Sequence, residues 1–302
     1  VRILKKFLKG IGCYGSDLKT EGFSGYLCEL LIIKYGSFKN LIGKAQNFRY
    51  QELIDIVNGY SAKEKKKIID MHVNEAFMFI DPVDPKRNVA AVLSKEKLAR
   101  FIYFARKFEK RPAKSYFYRI SRVVDQKDTL KEISKRGTKL AGVVFSRDND
   151  IDDVFYPQLR RFEKRVVKLL QEEGFQIIEQ VNFGGKHAGF VIELADNNLP
   201  RYKRVYGPRI FDSIESQDEF IIKHKKIWIE EDRFVAEAKR MNYDIKRFLA
   251  QFFDKTTVRL IESGVPKNIA KSISKHYEIV EGNEILKIDS VELWEKLARE
   301  YI

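Results

Sequence analysis

Cysteine is scarce in this 302-residue chain: only Cys13 and Cys28 occur. They form no CxxC pair and join no histidine group at metal-ligand spacing, which excludes a disulfide framework or a zinc module, and both read as reduced core thiols. Histidine is equally sparse, and His72, His187, His224 and His276 are too scattered to argue for a catalytic triad. Long apolar runs are missing. Clusters such as Leu30–Ile33 and Phe101–Phe104 fall far short of the roughly 18 consecutive apolar residues of a membrane span, so no transmembrane helix is expected. Without a signal peptide, the expected location is cytoplasmic. No fixed-period repeat or low-complexity tract is present.

What is abundant is positive charge. Lys and Arg number 57 against 43 Asp and Glu, a net charge of +14 that points to an anionic partner. With 44% hydrophobic and 33% charged residues the composition is globular, and the length suggests about two domains. Val1, Ile3, Leu4, Phe7 and Leu8 already follow helical spacing with no capping residue ahead of them, so the chain is expected to begin inside an element, its preceding segment removed.

The first part reads as helical to about Pro112: a helix to Lys9, a Gly-rich turn over Gly10–Gly15, a helix from near Ser24 to Lys34, and amphipathic stretches over Gln51–Ile56, Ala62–Met71 and Ser94–Glu109. Ala76–Ile80 fits either a strand or a turn of helix. After Arg111–Pro112 the character changes. Tyr116–Val124 mixes aromatics with Arg119 and Arg122, Leu130–Lys135 is helical, Lys139–Ser146 is a buried strand, and a helix runs from Pro157 to Gly174. Gln176–Asn182 and Ala188–Leu194 form a hairpin across Gly184 and Gly185. Ile227–Ile229 and Phe234–Lys239 pair as strands, while Asp244–Phe253, Pro266–Tyr277 and Val291–Tyr301 are helical. The fold class expected is therefore α+β and multidomain: an all-α central domain over residues 1–112, then an α+β body of split βαβ, ferredoxin-like type with a tail over 113–302.

The most unusual local sequence is Asp81-Pro82-Val83-Asp84-Pro85-Lys86-Arg87-Asn88, where two prolines and two carboxylates precede a basic pair. The Arg87 fork suits phosphate oxygens or the acceptor edge of a base, although a structural loop with surface ion pairs has the same composition. Gly22-Phe23-Ser24-Gly25-Tyr26-Leu27 places glycines and a hydroxyl before a helix, which serves either an anion cradle or a tight turn with an N-cap. Lys5 and Tyr14 are a cation and a phenol near the first turn, able to reach a triphosphate or to remain solvated. Asp148, Asp150, Asp152 and Asp153 read as a solvated acidic loop in preference to a metal site. Cations interleave with aromatics along Phe104–Arg122, Arg160–Lys168, Arg201–Arg209 and Lys223–Arg247, a composition suited to RNA.

These segments resemble the archaeal-type (class I) CCA-adding enzymes. The resemblance rests on Phe7–Gly15, Gly22–Leu31, Tyr35-Gly36-Ser37-Phe38, Asp81–Ser94 and Asp152–Leu159, and it weakens after about residue 200. It implies a tRNA nucleotidyltransferase that adds or repairs the 3′-terminal CCA with CTP and ATP and without a template. It also implies an N-terminal catalytic head, carrying the Asp and Glu residues that hold Mg²⁺, which this chain lacks, so that no catalytic or metal residue is assigned here and the chain alone is expected to be inactive. By motif match Lys5 and Tyr14 touch the triphosphate and Arg87 hydrogen-bonds the incoming base. The tRNA acceptor stem and TΨC arm are expected on the body and tail. Arg160, Arg161, Lys164 and Arg165 are candidates for that contact from charge and helical placement alone. The alternative reading is a free-standing RNA-binding protein on the same scaffold. The sequence leaves open whether the protein is a homodimer.

Overall fold

Apolar residues at helical spacing make α1 (Arg2–Gly10), which buries Leu4, Phe7 and Leu8 on one face. The computed structural model describes residues 1–118, 124–148 and 150–298. It divides into two units, Val1–Val123 with Ile151–Pro157, and Val124–Asp150 with Gln158–Ile302. Arg119, Arg122 and the last residues of the Val291–Tyr301 helix expected from the sequence lie outside the described residues.

In the first unit, α2 (Gly25–Tyr35), α3 (Phe38–Ala45), α4 (Ala62–Met71) and α5 (Lys95–Lys110) each start behind a serine that accepts a backbone N–H: Ser24, Ser37, Ser61 and Ser94. Ser61 and Glu64 complete a reciprocal capping box, the residue types that bias this start in any context. Between the helices, β1 (Glu52–Ile54) and β2 (Phe77–Phe79) pair in parallel, with Leu53 opposite Met78. The helical reading of Gln51–Ile56 is thus corrected. A turn of helix there would leave the buried edge of β2 without a backbone partner, whereas the strand supplies one, and the Gln51 N–H reaches the Ala76 carbonyl at 2.8 Å. The unit remains helical in bulk, with this short sheet added. Its core centres on Phe7, whose ring meets Phe38, Phe108 and Phe117 edge-on at centroid distances of 5.5, 5.5 and 5.6 Å.

The second unit carries α6 (Gln126–Lys135), β3 (Lys139–Ser146) and α7 (Asp152–Glu173), of which the residues up to Pro157 group with the first unit. It continues with β4 (Ile177–Phe183), β5 (His187–Leu194), β6 (Tyr202–Arg209), α8 (Ile214–Lys223), β7 (Lys226–Glu230) and β8 (Arg233–Lys239). It ends with α9 (Ile245–Phe253), α10 (Thr257–Glu262), α11 (Lys267–Lys275), β9 (Tyr277–Glu281) and α12 (Val291–Leu297). Among the described residues, one sheet has the order β4-β5-β3-β9, every neighbouring pair antiparallel. Strand β3, the crossover α7, the β4–β5 hairpin, then α11 and β9 make a split βαβ arrangement, with β6 to α10 inserted before its last crossover. A second sheet has the order β6-β8-β7.

Two boundaries differ from the sequence reading. Helix α7 starts at Asp152 and keeps Pro157 inside it, because its first turns bury Phe155 and Tyr156 and this burial outweighs the backbone hydrogen bond that proline forgoes. Helix α11 stops at Lys275, and Tyr277 begins β9, whose Val280 is buried opposite Gly142 of β3. Strands β6 and β9 were not distinguished from their neighbours by periodicity.

Candidate functional site

The start of α2 is the point on which the first unit's candidate residues converge. Cys13–Gly15 runs beside Gly22–Phe23, joined by Gly22 N–H to Gly15 carbonyl at 2.7 Å, Phe23 N–H to Cys13 carbonyl at 2.8 Å and Gly15 N–H to Phe23 carbonyl at 3.0 Å. A side chain at Gly22 would overlap the Cys13 carbonyl, so this close approach requires glycine. The pairing sets Tyr14 beside α2. A methyl group built on Gly25 would lie 3.4 Å from Lys5 Nζ and 3.5 Å from the Tyr14 hydroxyl, so both groups stand over the first turn of α2, where backbone N–H groups and the helix dipole favour an anion. The Ser24 Oγ accepts from Leu27 N–H at 2.9 Å, so the N-cap and the cradle geometry coexist. Lys5 Nζ pairs with Glu29 Oε1 at 2.9 Å; this hydrogen bond raises the Lys5 pKa against the opposing effect of burial. Lys9 Nζ lies 5.1 Å from the Tyr14 ring centroid.

Arg87 reaches the same helix by a relay. The Tyr26 hydroxyl donates to Asp81 Oδ1 at 3.0 Å, Val83 N–H donates to that oxygen at 2.9 Å, and Arg87 Nη1 lies 3.7 Å from Asp81 Oδ2. Asp81 is only 3% exposed, whereas the Arg87 side chain is 63% exposed. The carboxyl of Asp81 is held below its ordinary value, first by the Val83 amide, then by Tyr26, the Asp84 amide and Arg87, against the opposing effect of burial. The backbone closes the loop: Asp81 N–H donates to the Arg87 carbonyl at 3.0 Å and Arg87 N–H to the Asp84 carbonyl at 2.9 Å, while the Tyr60 hydroxyl donates to the Pro85 carbonyl at 3.0 Å. The result is a fixed base with a guanidinium presented to solvent.

Sequence reasoning singles out Lys5, Tyr14 and Arg87 as candidates but not Glu29, Tyr26 or Tyr60, which join them through partners 24, 55 and 25 residues away. Asp81 was visible only as a carboxylate next to proline. Cys13 and Cys28 are buried and free, their thiols pushed up to about 12 by burial, which suits the core role read from the sequence.

In the second unit, Arg161 and Lys164 are exposed on α7, Arg160 is half-buried, and Arg165 is half-buried with its Nε donating to the Ser263 carbonyl at 2.7 Å, at the end of α10. Arg165 thus serves the fold there. The acidic residues are occupied individually: Asp148 by Lys275 Nζ at 2.7 and 2.8 Å, Asp150 by Asn268 Nδ2 at 3.0 Å, and Asp153 by the Leu18 N–H at 3.1 Å. Among the described residues no group of three or more His, Cys, Asp or Glu side chains is arranged to hold a metal ion. Among the same residues no helix is long and apolar enough to cross a membrane.

Comparison with known proteins follows the two units. Residues 1–118 match the family model described as tRNA nucleotidyltransferase, second domain, and residues 136–282 match that described as CCA-adding enzyme, C-terminal domain. Similar relatives are the CCA-adding enzymes of Methanococcus maripaludis (37% identical over 82% of this chain and 55% of the relative), Thermococcus kodakarensis (36%, over 95% and 60%) and Methanosarcina mazei (33%, over 95% and 62%). The chain thus spans roughly half to three fifths of the length of these curated relatives. With two successive segments matched and the similarity extending over most of its residues, the chain belongs to the CCA-adding enzyme family of tRNA nucleotidyltransferases.

Proposed function

We propose that this chain supplies the nucleotide-facing and tRNA-holding parts of a cytoplasmic enzyme that adds or repairs the 3′-terminal CCA of tRNA from CTP and ATP. The observation that carries the reading is the convergence, on the first turn of α2, of Lys5 Nζ, the Tyr14 hydroxyl and the Tyr26–Asp81 relay to Arg87. In the reaction the tRNA 3′-hydroxyl attacks the α-phosphate and pyrophosphate leaves, so the work of the protein is positioning and charge stabilisation. Lys5 and Tyr14 hold triphosphate oxygens, Lys5 as a point charge and Tyr14 as a hydroxyl donor, with the α2 dipole behind them. Arg87 offers directed donors to the acceptor edge of cytosine or adenine, and the buried Asp81 keeps the fork oriented without cancelling its exposed face.

Residues 1–112 form the nucleotide-facing domain in this reading, and residues 113–302 the body and tail that receive the acceptor stem and TΨC arm by shape and backbone. Arg160, Arg161 and Lys164 are proposed phosphate contacts on α7, with Arg165 a weaker candidate because of its bond to Ser263. The Asp148, Asp150 and Asp153 carboxylates are engaged by Lys275, Asn268 and the Leu18 N–H. Nucleotidyl transfer is proposed for the longer protein, in which a head bearing metal-binding carboxylates joins these residues. The test is Arg87→Ala in that longer enzyme. Selection between CTP and ATP is expected to fall at least tenfold, about 1.4 kcal/mol in relative transition-state binding, with tRNA affinity unchanged. Equal loss of both would assign Arg87 to the fold instead.

A further inference from the structure

Helix α4 has no fully buried residue, and polar groups at its two ends fasten it. Ahead of it, the buried Asp55 accepts the Val57 and Tyr60 N–H groups at 3.2 and 3.1 Å and lies 3.5 Å from Lys65 Nζ. This sets Tyr60, whose hydroxyl donates to the Pro85 carbonyl at 3.0 Å. Behind the helix, the His72 N–H reaches the Ile68 and Ile69 carbonyls, and its Nδ1 lies 2.9 Å from Glu75 Oε1. The other oxygen of Glu75 accepts from Asn88 Nδ2. Both ends of the α4 segment therefore terminate on the loop that carries Arg87.

Asn88 follows Arg87 in the chain, and its amide is fully used. Its Oδ1 accepts from Phe79 N–H at 2.8 Å and Ala90 N–H at 2.9 Å, while Nδ2 donates to the Phe77 carbonyl at 3.0 Å and to Glu75. An asparagine side chain offers two N–H groups and two lone pairs, so all four places are filled. The backbone on either side is held in the same way: Asp81 N–H donates to the Arg87 carbonyl at 3.0 Å and Val89 N–H to the Phe79 carbonyl at 2.9 Å. Arg87 Nη1, by contrast, stands 3.7 Å from Asp81 Oδ2, beyond hydrogen-bond reach, on a side chain that is 63% exposed. Its direction thus depends on the backbone beneath it as well as on Asp81.

We infer that Glu75 and Asn88, with Tyr60 at the opposite end of the α4 segment, are positioning residues for Arg87 and so determine nucleotide selection without touching the nucleotide. Glu75 is the pivot, because one carboxylate joins the end of α4, through His72, to the residue beside Arg87. Its removal leaves an Asn88 N–H without its partner and frees the end of the loop from α4. A displacement of about 1 Å at a directing group can cost a hundredfold in a positioned reaction, so a small loosening here is readable in selection. The proposal rests on the reading that Arg87 contacts the incoming base, and it names residues that no charge pattern marks.

The test is a double-mutant cycle in the longer enzyme, read as the ratio of kcat/KM for CTP and ATP on tRNA transcripts ending before C and before A. Glu75→Ala, checked for folding by circular dichroism, is expected to lower selection roughly three- to tenfold with tRNA affinity unchanged. Glu75→Gln keeps an oxygen for Asn88 and an amide for His72, and should restore selection to within about twofold. In an Arg87→Ala background Glu75→Ala should cost nothing further, because its effect passes through Arg87. Tyr60→Phe removes the fastening at the other end and should lower selection roughly two- to threefold, again only where Arg87 is present; it carries the cycle if Glu75→Ala does not fold. Undiminished selection in the folded variants, equal loss with and without Arg87, or failure of glutamine to rescue would overturn the positioning role while leaving Arg87 as the base contact. Full selection in Arg87→Ala itself would remove both this proposal and the reading beneath it.

Discussion

Tyr26 and Asp81 are joined by a 3.0 Å hydrogen bond across 55 residues of sequence, and that bond fastens the Arg87 loop to the first turn of α2. Whatever moves the loop therefore moves Arg87 relative to Lys5 and Tyr14. The pH dependence of this joint has a defined sign. Folding lowers the Asp81 pKa below its ordinary 3.8, so the contribution of the carboxylate is complete above that value and is lost as the pH falls through the depressed one. The loop is expected to be unchanged from neutrality down to about pH 4 and to loosen below it. The Val83 amide resonance reports the step by NMR, and Asp81→Asn should remove it. A Val83 shift with its midpoint near neutrality would contradict the assignment.

Gly25 separates folding from binding. Alanine there meets Lys5 Nζ and the Tyr14 hydroxyl only at ordinary contact distances, and alanine favours helix, so stability should hold or rise by up to about 1 kcal/mol. The added methyl nevertheless occupies the space between those groups and the helix. Binding of CTP and ATP, measured by calorimetry in the longer enzyme, is expected to weaken roughly tenfold. Unchanged nucleotide affinity would place the triphosphate elsewhere.

Glu29 competes with any anion for Lys5. Replacing its carboxylate by the amide in Glu29→Gln leaves the shape and removes the charge, and the Lys5 pKa should drop back toward 10.5. Triphosphate affinity should rise about two- to fivefold, the scale of an exposed ion pair, and more so at low salt. A fall in affinity would make Glu29 a contributor to the site.

The cations of α7 divide into two kinds. Arg165→Met removes the bond to the Ser263 carbonyl and should cost about 1 kcal/mol of stability, read by denaturant unfolding. Arg161→Gln with Lys164→Gln should leave stability within about 0.5 kcal/mol and lower the salt dependence of tRNA binding, because both side chains are exposed. The reverse pattern would exchange their roles.

Legibility in the sequence followed the range of the interactions. Ser24 and Ser94 announce their helices because a cap acts within three residues, and Lys139–Ser146 reads as a strand because its apolar run is nearly continuous. Glu52–Ile54 was misread because three residues carry too little periodicity to separate strand from helix, and only pairing with Phe77–Phe79 decides. Pro157 points by its ordinary preference to a helix start, and the burial of Phe155 and Tyr156 overrides that preference.

The sequence alone determined the basic excess, the serine-capped helices, the hairpin, and a proline-braced loop ending in Arg87, since each depends on composition or on neighbours a few residues apart. The tertiary structure decided that Tyr14 and Lys5 share the first turn of α2, that Asp81 is buried under Tyr26, and that β9 joins β3 to complete its sheet. Those contacts join residues far apart in the chain. Their free energy comes from burial and from pairing polar groups that only the assembled fold brings into reach, which no local pattern of residues records.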